Sequence, residues 1–149
     1  MKIIVDTREK FPWSFDNDIE VITKKLDTGD YSIQGLEGDV SIERKASVSE
    51  FYGNVTKKRF WNEMSRMSEL AHKFAIFEFA LDDLNVFPYG SGLPQKAIQR
   101  MKISSSYLLS CVVRMHLDYK IHVIFAGDRH SAITITTRIL KKIYGKYNN

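Results

Sequence analysis

Carboxylates gather at the ends of the first strands the sequence predicts. Asp6 closes the apolar run Lys2-Ile3-Ile4-Val5-Asp6, and Glu9 follows within Thr7-Arg8-Glu9-Lys10. Asp30 opens a further strand in Leu26-Asp27-Thr28-Gly29-Asp30-Tyr31, and Glu43 ends the return strand in Ile42-Glu43-Arg44-Lys45. Residues two apart in a strand share a face, so Glu43 and Lys45 project together at one sheet edge. Carboxylates that converge without enough cations are costly unless a metal binds among them. An oxygen-only donor set suits Mg²⁺ or Mn²⁺, and Mg²⁺ usually takes one or two protein carboxylates plus water and phosphate. His72, His116, His122 and His130 show no metal-ligand spacing, and Cys111, among Leu108, Val112 and Met115, reads as an inert buried thiol.

The elements that must position these residues follow from period and punctuation. The run ending at Asp6 reads as a buried strand, residues 20–26 as a second, and residues 31–33 and 40–43 as two short strands. Gly35-Leu36-Glu37-Gly38-Asp39 joins the last two as a hairpin. These early strands are expected to be antiparallel to one another. From Ser47 the spacing becomes helical, with Gly53-Asn54 dividing a short helix from a longer one over 57–72. Residues 74–79 read as a central strand ending near Glu78, and 87–94, with two of the three prolines, as a loop. A helix capped by Ser104 runs to about Leu117, and residues 121–125 form another strand. Asp128 caps a last helix with Ala132, Ile135, Ile139 and Ile143 on its apolar face. An antiparallel start followed by strand–helix–strand–helix gives an α/β class with a mixed sheet flanked by helices, and one domain over 1–149.

Composition narrows the function classes. The chain has 149 residues, 44% hydrophobic and 27% charged, with nine Phe, seven Tyr and two Trp, enough to build a core and unlike a disordered chain. A single cysteine cannot build an internal disulfide framework, which points to a reducing cytoplasm. No apolar run approaches the roughly 18 residues that span a membrane. The formal charge of +4 conceals two unlike parts. Residues 1–93 carry 12 basic against 16 acidic side chains, whereas 94–149 carry 10 basic against Asp118 and Asp128. The first part needs a cation; the second can hold a polyanion.

Val5-Asp6-Thr7-Arg8-Glu9, then Gly29-Asp30-Tyr31, then Ile42-Glu43-Arg44-Lys45 together resemble the nuclease domain of the XPF-type (ERCC4-domain) structure-specific endonucleases. Lys58-Arg59-Phe60 is similar to the family's basic-aromatic helix, and the strand ending in Glu78 to a further family element. The resemblance covers nearly the whole chain. It implies a restriction-endonuclease-like fold with a PD-(D/E)xK site, in which Asp30 is the first acid and Glu43 and Lys45 are the E-x-K pair. By the same resemblance Asp6 and Glu9 are further acids near the metal, and Arg8 and Arg44 stand beside the scissile phosphate. Lys57, Lys58 and Arg59 are basic positions that can track a DNA backbone.

Metal-dependent DNA cleavage at branched, flapped or junction structures, a homodimer, and a small version of the kind found in phages or bacteria are implied in the same way. Two departures qualify the match. The acid usual four residues after the motif lysine is Ser49, with Glu50 directly following. The reading also expects no helix-hairpin-helix module. A nuclease-inactive DNA-binding partner and a nuclease on linear DNA are the competing functions. Glu78 is open between a site residue and a paired structural carboxylate, and Ile135, Ile139, Ile143 and Tyr147 between core and interface.

Overall fold

A computed structural model describes residues 1–102 and 104–149. Its strands are β1 (Lys2–Val5), β2 (Glu20–Thr23), β3 (Tyr31–Ile33), β4 (Val40–Lys45), β5 (His72–Phe77) and β6 (His122–Phe125). Its helices are α1 (Val48–Val55), α2 (Lys58–Ser68), α3 (Leu81–Val86), α4 (Gln95–Arg100), α5 (Ser105–Leu117) and α6 (Arg129–Tyr147). The strands form one mixed sheet in the order β2-β1-β3-β4-β5-β6. β3 is antiparallel to both β1 and β4, while β4, β5 and β6 run parallel.

This order decides which strand ends meet. Val5 pairs with Tyr31, Tyr31 with Ile42, and Lys45 with Phe77. The C-terminal ends of β1, β4 and β5 therefore lie beside the N-terminal end of β3, and Asp6, Asp30, Glu43 and Glu78 arrive at one edge of the sheet. Backbone bonds close the junctions: Asp6 N–H donates to Asp30 O at 2.8 Å, Asp30 N–H to Ile42 O at 2.8 Å, and Glu78 N–H to Lys45 O at 2.9 Å.

Each sheet face carries its own core. On one side Phe51, Phe60, Met64 and Met67 of α1 and α2 and Leu108 and Met115 of α5 cover Ala75 and Phe77, with Cys111 buried among them. On the other, α6 covers Ile3, Val5, Tyr31, Ile42 and Ile76. The strand period places Val40, Ile42 and Arg44 toward α6, and Glu43 and Lys45 toward α1 and α2.

Several expectations change. β2 is parallel to β1, in register from Lys2↔Glu20 to Val5↔Thr23, because residues 6–19 form a crossover far longer than a hairpin turn. It also stops at Thr23. α1 continues through Gly53 and Asn54 and ends at Val55, so the break falls at Thr56-Lys57. α2 stops at Ser68, and β5 occupies 72–77 rather than 74–79. α3 and α4, six residues each, are too short to show a helical period. The caps at Ser104 and Asp128 are present, each accepting from a backbone N–H three residues on. On α6 the buried residues are Ala132, Thr136, Thr137, Leu140 and Ile143; Ala132 and Ile143 of the expected face are among them, and Ile135 and Ile139 pack half-buried against the same core. Among the described residues no helix is long and apolar enough to cross a membrane.

Gly29 is the glycine this arrangement requires. Its φ is +77°, and a Cβ there would lie 2.1 Å from Ser41 Oγ and 3.0 Å from Ile42 O. Gly29→Ala combines left-handed strain with overpacking against the Ser41 side chain and the Ile42 carbonyl, and is expected to lower stability by roughly 2–4 kcal/mol in urea titration. An unchanged midpoint would show that the β3–β4 junction relaxes freely.

Candidate active site

Three consecutive ionisable residues are buried at the end of β4: Glu43, Arg44 and Lys45 are only 4%, 8% and 5% exposed. Charges taken out of water must be paired. The alternation of the strand sends them to opposite faces, where each finds different partners.

On the α1–α2 face, Lys45 Nζ donates to Glu43 Oε1 at 2.5 Å and stands 4.0 Å from Glu50 Oε1. It also lies 5.6 Å from the centre of the Phe60 ring. Burial works against its charge, but Glu43 and Asp30 outweigh burial and raise its pKa, so the ammonium stays protonated. Asp30 Oδ2 accepts from Arg44 N–H at 2.7 Å. Burial first, and then the charge of Glu43, push the Asp30 carboxyl well above the usual range. Glu43 is also raised, chiefly by burial and further by Glu63, with Lys45 opposing. Glu43 Oε2 is buried and has no hydrogen-bond partner among the described residues.

Asp6 is differently placed. Its Oδ1 accepts from Leu26 N–H at 2.7 Å, and its Oδ2 from Arg8 N–H at 3.0 Å and Arg8 Nε at 2.7 Å. Burial raises its pKa, but the Arg8 guanidinium and the two backbone donors prevail and leave it below the ordinary value. In this arrangement Asp6 fixes Arg8, and its Oδ1, with one donor, keeps a lone pair for the metal-ligand role read for it.

Arg44 lies on the α6 face. Its Nη1 donates to Glu9 Oε2 at 3.0 Å and to Phe11 O at 2.7 Å, and its Nε to Glu78 Oε1 at 2.8 Å. Tyr31 Oη donates to Glu9 Oε2 at 2.8 Å, and Trp13 Nε1 to Glu78 Oε1 at 2.5 Å. Glu9, read as an acid near the metal, thus belongs to the Arg44 network, and Glu78 is its second carboxylate. These two pairings outweigh burial and raise the pKa of Arg44, so its charge is permanent.

Among the remaining candidates, Glu50, in the first turn of α1, accepts from Ala46 N–H at 2.9 Å and faces Lys45, while Ser49 lines a separate cavity. Lys57 and Arg59 line a small pocket with Lys45, Asn54, Phe60 and Glu63; Lys58, the first residue of α2, is exposed outside it. Glu63 escaped the sequence reading. Its Oε1 accepts from Gly29 N–H at 3.2 Å, and its charge acts on Glu43 and Arg8. The one signal for it is helical spacing, since it follows Phe60 by three residues and shares that side of α2.

The residues present fit a divalent cation of the Mg²⁺ or Mn²⁺ type. Asp30 and Glu43 offer an oxygen-only donor set, and the partnerless Glu43 Oε2 is the kind of buried atom a cation satisfies. Among the described residues no group of three His, Cys, Asp or Glu side chains is close enough to hold a metal alone. Two carboxylates with water and phosphate are what Mg²⁺ commonly uses.

A mixed sheet with carboxylates and a lysine at the converging ends of its central strands defines a restriction-endonuclease-like domain. The fold matches XPF from Aeropyrum pernix with a TM-score of 0.67 at 21% identity, over 95% of this chain and 60% of that one. It matches the same organism's XPF in complex with DNA with a TM-score of 0.66 at 22% identity, over 97% and 66% of the two chains. The family model described as the ERCC4 domain matches residues 5–139, and the chain belongs to that family. It is also 30% identical over 129 residues to the 3′-flap repair endonuclease Xpf of Saccharolobus solfataricus, a match that covers 87% of this chain and 46% of the relative. The chain therefore spans about half the length of that curated relative.

The raised Asp30 carboxyl has a consequence for stability. A carboxyl whose folded pKa exceeds its unfolded value holds more protons when folded. Stability therefore falls as pH rises from about 4 through the folded value. Asp30→Asn keeps an acceptor for Arg44 N–H and removes the buried charge. In metal-free buffer at pH 7 it is expected to melt higher than the wild type, with the gap closing toward pH 4. Mg²⁺ is expected to raise the wild-type Tm and leave the variant's unchanged; equal curves for both proteins would remove charge repulsion at Asp30 from the account.

Proposed function

We propose that this chain is a divalent-metal-dependent DNA endonuclease that hydrolyses phosphodiester bonds at branched, flapped or junction DNA. The observation that carries the reading is the buried, partnerless Glu43 Oε2 beside Asp30 and a protonated Lys45. Asp30 and Glu43 would hold Mg²⁺ or Mn²⁺. The ion, when bound, supplies Lewis-acid polarisation of a phosphodiester and a lowered pKa for water.

The protein's own groups supply the rest. Lys45, pinned by Glu43, presents a fixed positive charge where negative charge builds on the phosphate. Arg8, held by Asp6, offers a second cation on the exposed side, with 61% of its side chain accessible. Arg44 N–H orients Asp30, and the Arg44 side chain braces the strand end against Glu9 and Glu78. Lys57 and Arg59 extend the positive surface along α2 and hold DNA through its phosphates. No covalent nucleophile takes part, so water attacks phosphorus and the bond to the leaving sugar oxygen breaks. The relative named as a 3′-flap repair endonuclease and the structural neighbour solved with DNA support this substrate class.

The nuclease-inactive reading is less favoured, because Asp30, Glu43 and Lys45 are all present and converge. The test is cleavage of labelled fork, flap, Holliday junction and linear DNA with Mg²⁺, Mn²⁺ or EDTA. Wild type is expected to cut branched DNA only with metal, and Asp30→Asn or Lys45→Ala to lose at least about 100-fold in rate while remaining folded by circular dichroism. DNA binding without cleavage under either metal would favour the inactive partner, and preferential cutting of linear DNA would remove the branched-substrate assignment.

A further inference from the structure

The segment Lys10–Trp13 combines a fixed backbone with one outward aromatic ring. Phe11 O accepts from Arg44 Nη1 at 2.7 Å and from Arg129 Nη2 at 3.3 Å, and Pro12 O accepts from Arg129 Nη2 at 3.0 Å. Trp13 N–H donates to Tyr31 Oη at 2.8 Å, and the Trp13 ring stacks on Tyr31 with centroids 4.6 Å apart. Trp13 is buried, so the core anchors one end of the segment.

The Phe11 ring, in contrast, is 75% exposed, and among the described residues no aromatic ring pairs with it. A lone exposed apolar side chain is ordinary. One whose carbonyl is gripped by two arginines, one of them from β4, is a side chain held out on a rigid support. It borders a cavity of about 260 Å³ shared with Arg8, Glu9, Lys10, Arg44, Ala46 and Glu50. Three of those residues are cations and two are carboxylates; Arg44 is paired with Glu9 and Glu78, so the cations turned to solvent are Arg8 and Lys10. Glu50, which lines it, stands 4.0 Å from Lys45 Nζ, so the cavity adjoins the site. An aromatic face beside cations, at the edge of a phosphate-handling site, matches the chemistry of an unpaired nucleotide: a flat π-system to stack and a phosphate to pair. A ring on a backbone held by hydrogen bonds also loses little freedom on binding.

We propose that Phe11 is a stacking platform for an unpaired nucleobase next to the cleaved phosphate, with Arg8 and Lys10 pairing that nucleotide's backbone. This rests on the endonuclease reading and names the feature of branched DNA that this chain recognises. Every base has a π-face, so the platform selects unpaired structure and not sequence.

The experiment uses the full chain with fork DNA carrying 2-aminopurine at the first unpaired nucleotide, in EDTA, alongside linear duplex. Wild type is expected to bind the fork more tightly and to quench 2-aminopurine. Phe11→Ala and Phe11→Leu are expected to lose roughly 5- to 100-fold in fork affinity, to narrow the fork-to-duplex ratio, and to abolish the quenching. Phe11→Trp is expected to restore both. Circular dichroism melts confirm that the variants fold, and Leu keeps apolar bulk without a π-face. Quenching that survives in Phe11→Leu, or fork and duplex affinities that fall equally in Phe11→Ala, would overturn the platform while leaving the endonuclease reading intact. A wild type that neither prefers nor cuts branched DNA would remove the reading on which the platform rests.

Discussion

Glu43, Arg44 and Lys45 are consecutive, ionisable and buried, and the surrounding structure exists largely to make that tolerable. A buried charge without a partner costs several kcal/mol, and this strand end carries three charges. The pleat resolves the problem by separating them. Glu43 and Lys45 neutralise each other toward α1 and α2, while Arg44 passes to the α6 face and meets Glu9 and Glu78. One strand end thereby builds a chemical site on one side of the sheet and a structural brace on the other.

The two sides are not energetically alike. The Arg44 network is satisfied: Arg44, Glu9, Glu78, Tyr31 and Trp13 each have partners, and it also ties down the segment that carries Phe11. The opposite face is left unbalanced. Asp30 and Glu43 both have raised pKa values, Glu63 adds a further negative charge, and one oxygen of Glu43 has no partner. A strained electrostatic arrangement inside an otherwise satisfied fold marks the place where a ligand completes the charge balance.

Asp6 and Glu9, acids near the metal by family resemblance, also have structural partners that the motif does not specify. Both carboxylates lie within a few residues of the β1 end, and both read as acids close to a cation. Asp6 is taken up by Arg8 and by the backbone of Leu26, and Glu9 by Arg44 and Tyr31. The loop conformation after β1 decided this, and a loop follows no period from which side-chain direction can be read. Glu63 was invisible for the complementary reason: it stands on a helix remote in sequence, and only the packing of α2 beside Gly29 brings it to the site.

The α/β class, the strands that Asp6 and Asp30 flank and the one that carries Glu43, the shared face of Glu43 and Lys45, and the caps at Ser104 and Asp128 were all determined by the sequence alone. Each depends on local period or local hydrogen bonding, which neighbouring residues specify. The tertiary structure decided that β2 runs parallel to β1, where α1 and α2 divide, which carboxylates keep a free oxygen, and that Arg44 turns from the site to hold the Phe11 segment. Those outcomes depend on contacts between residues such as Arg44 and Glu78, or Gly29 and Glu63, whose separation along the chain carries no periodic signal. Long-range pairing of buried charge, and not local preference, made the final assignments.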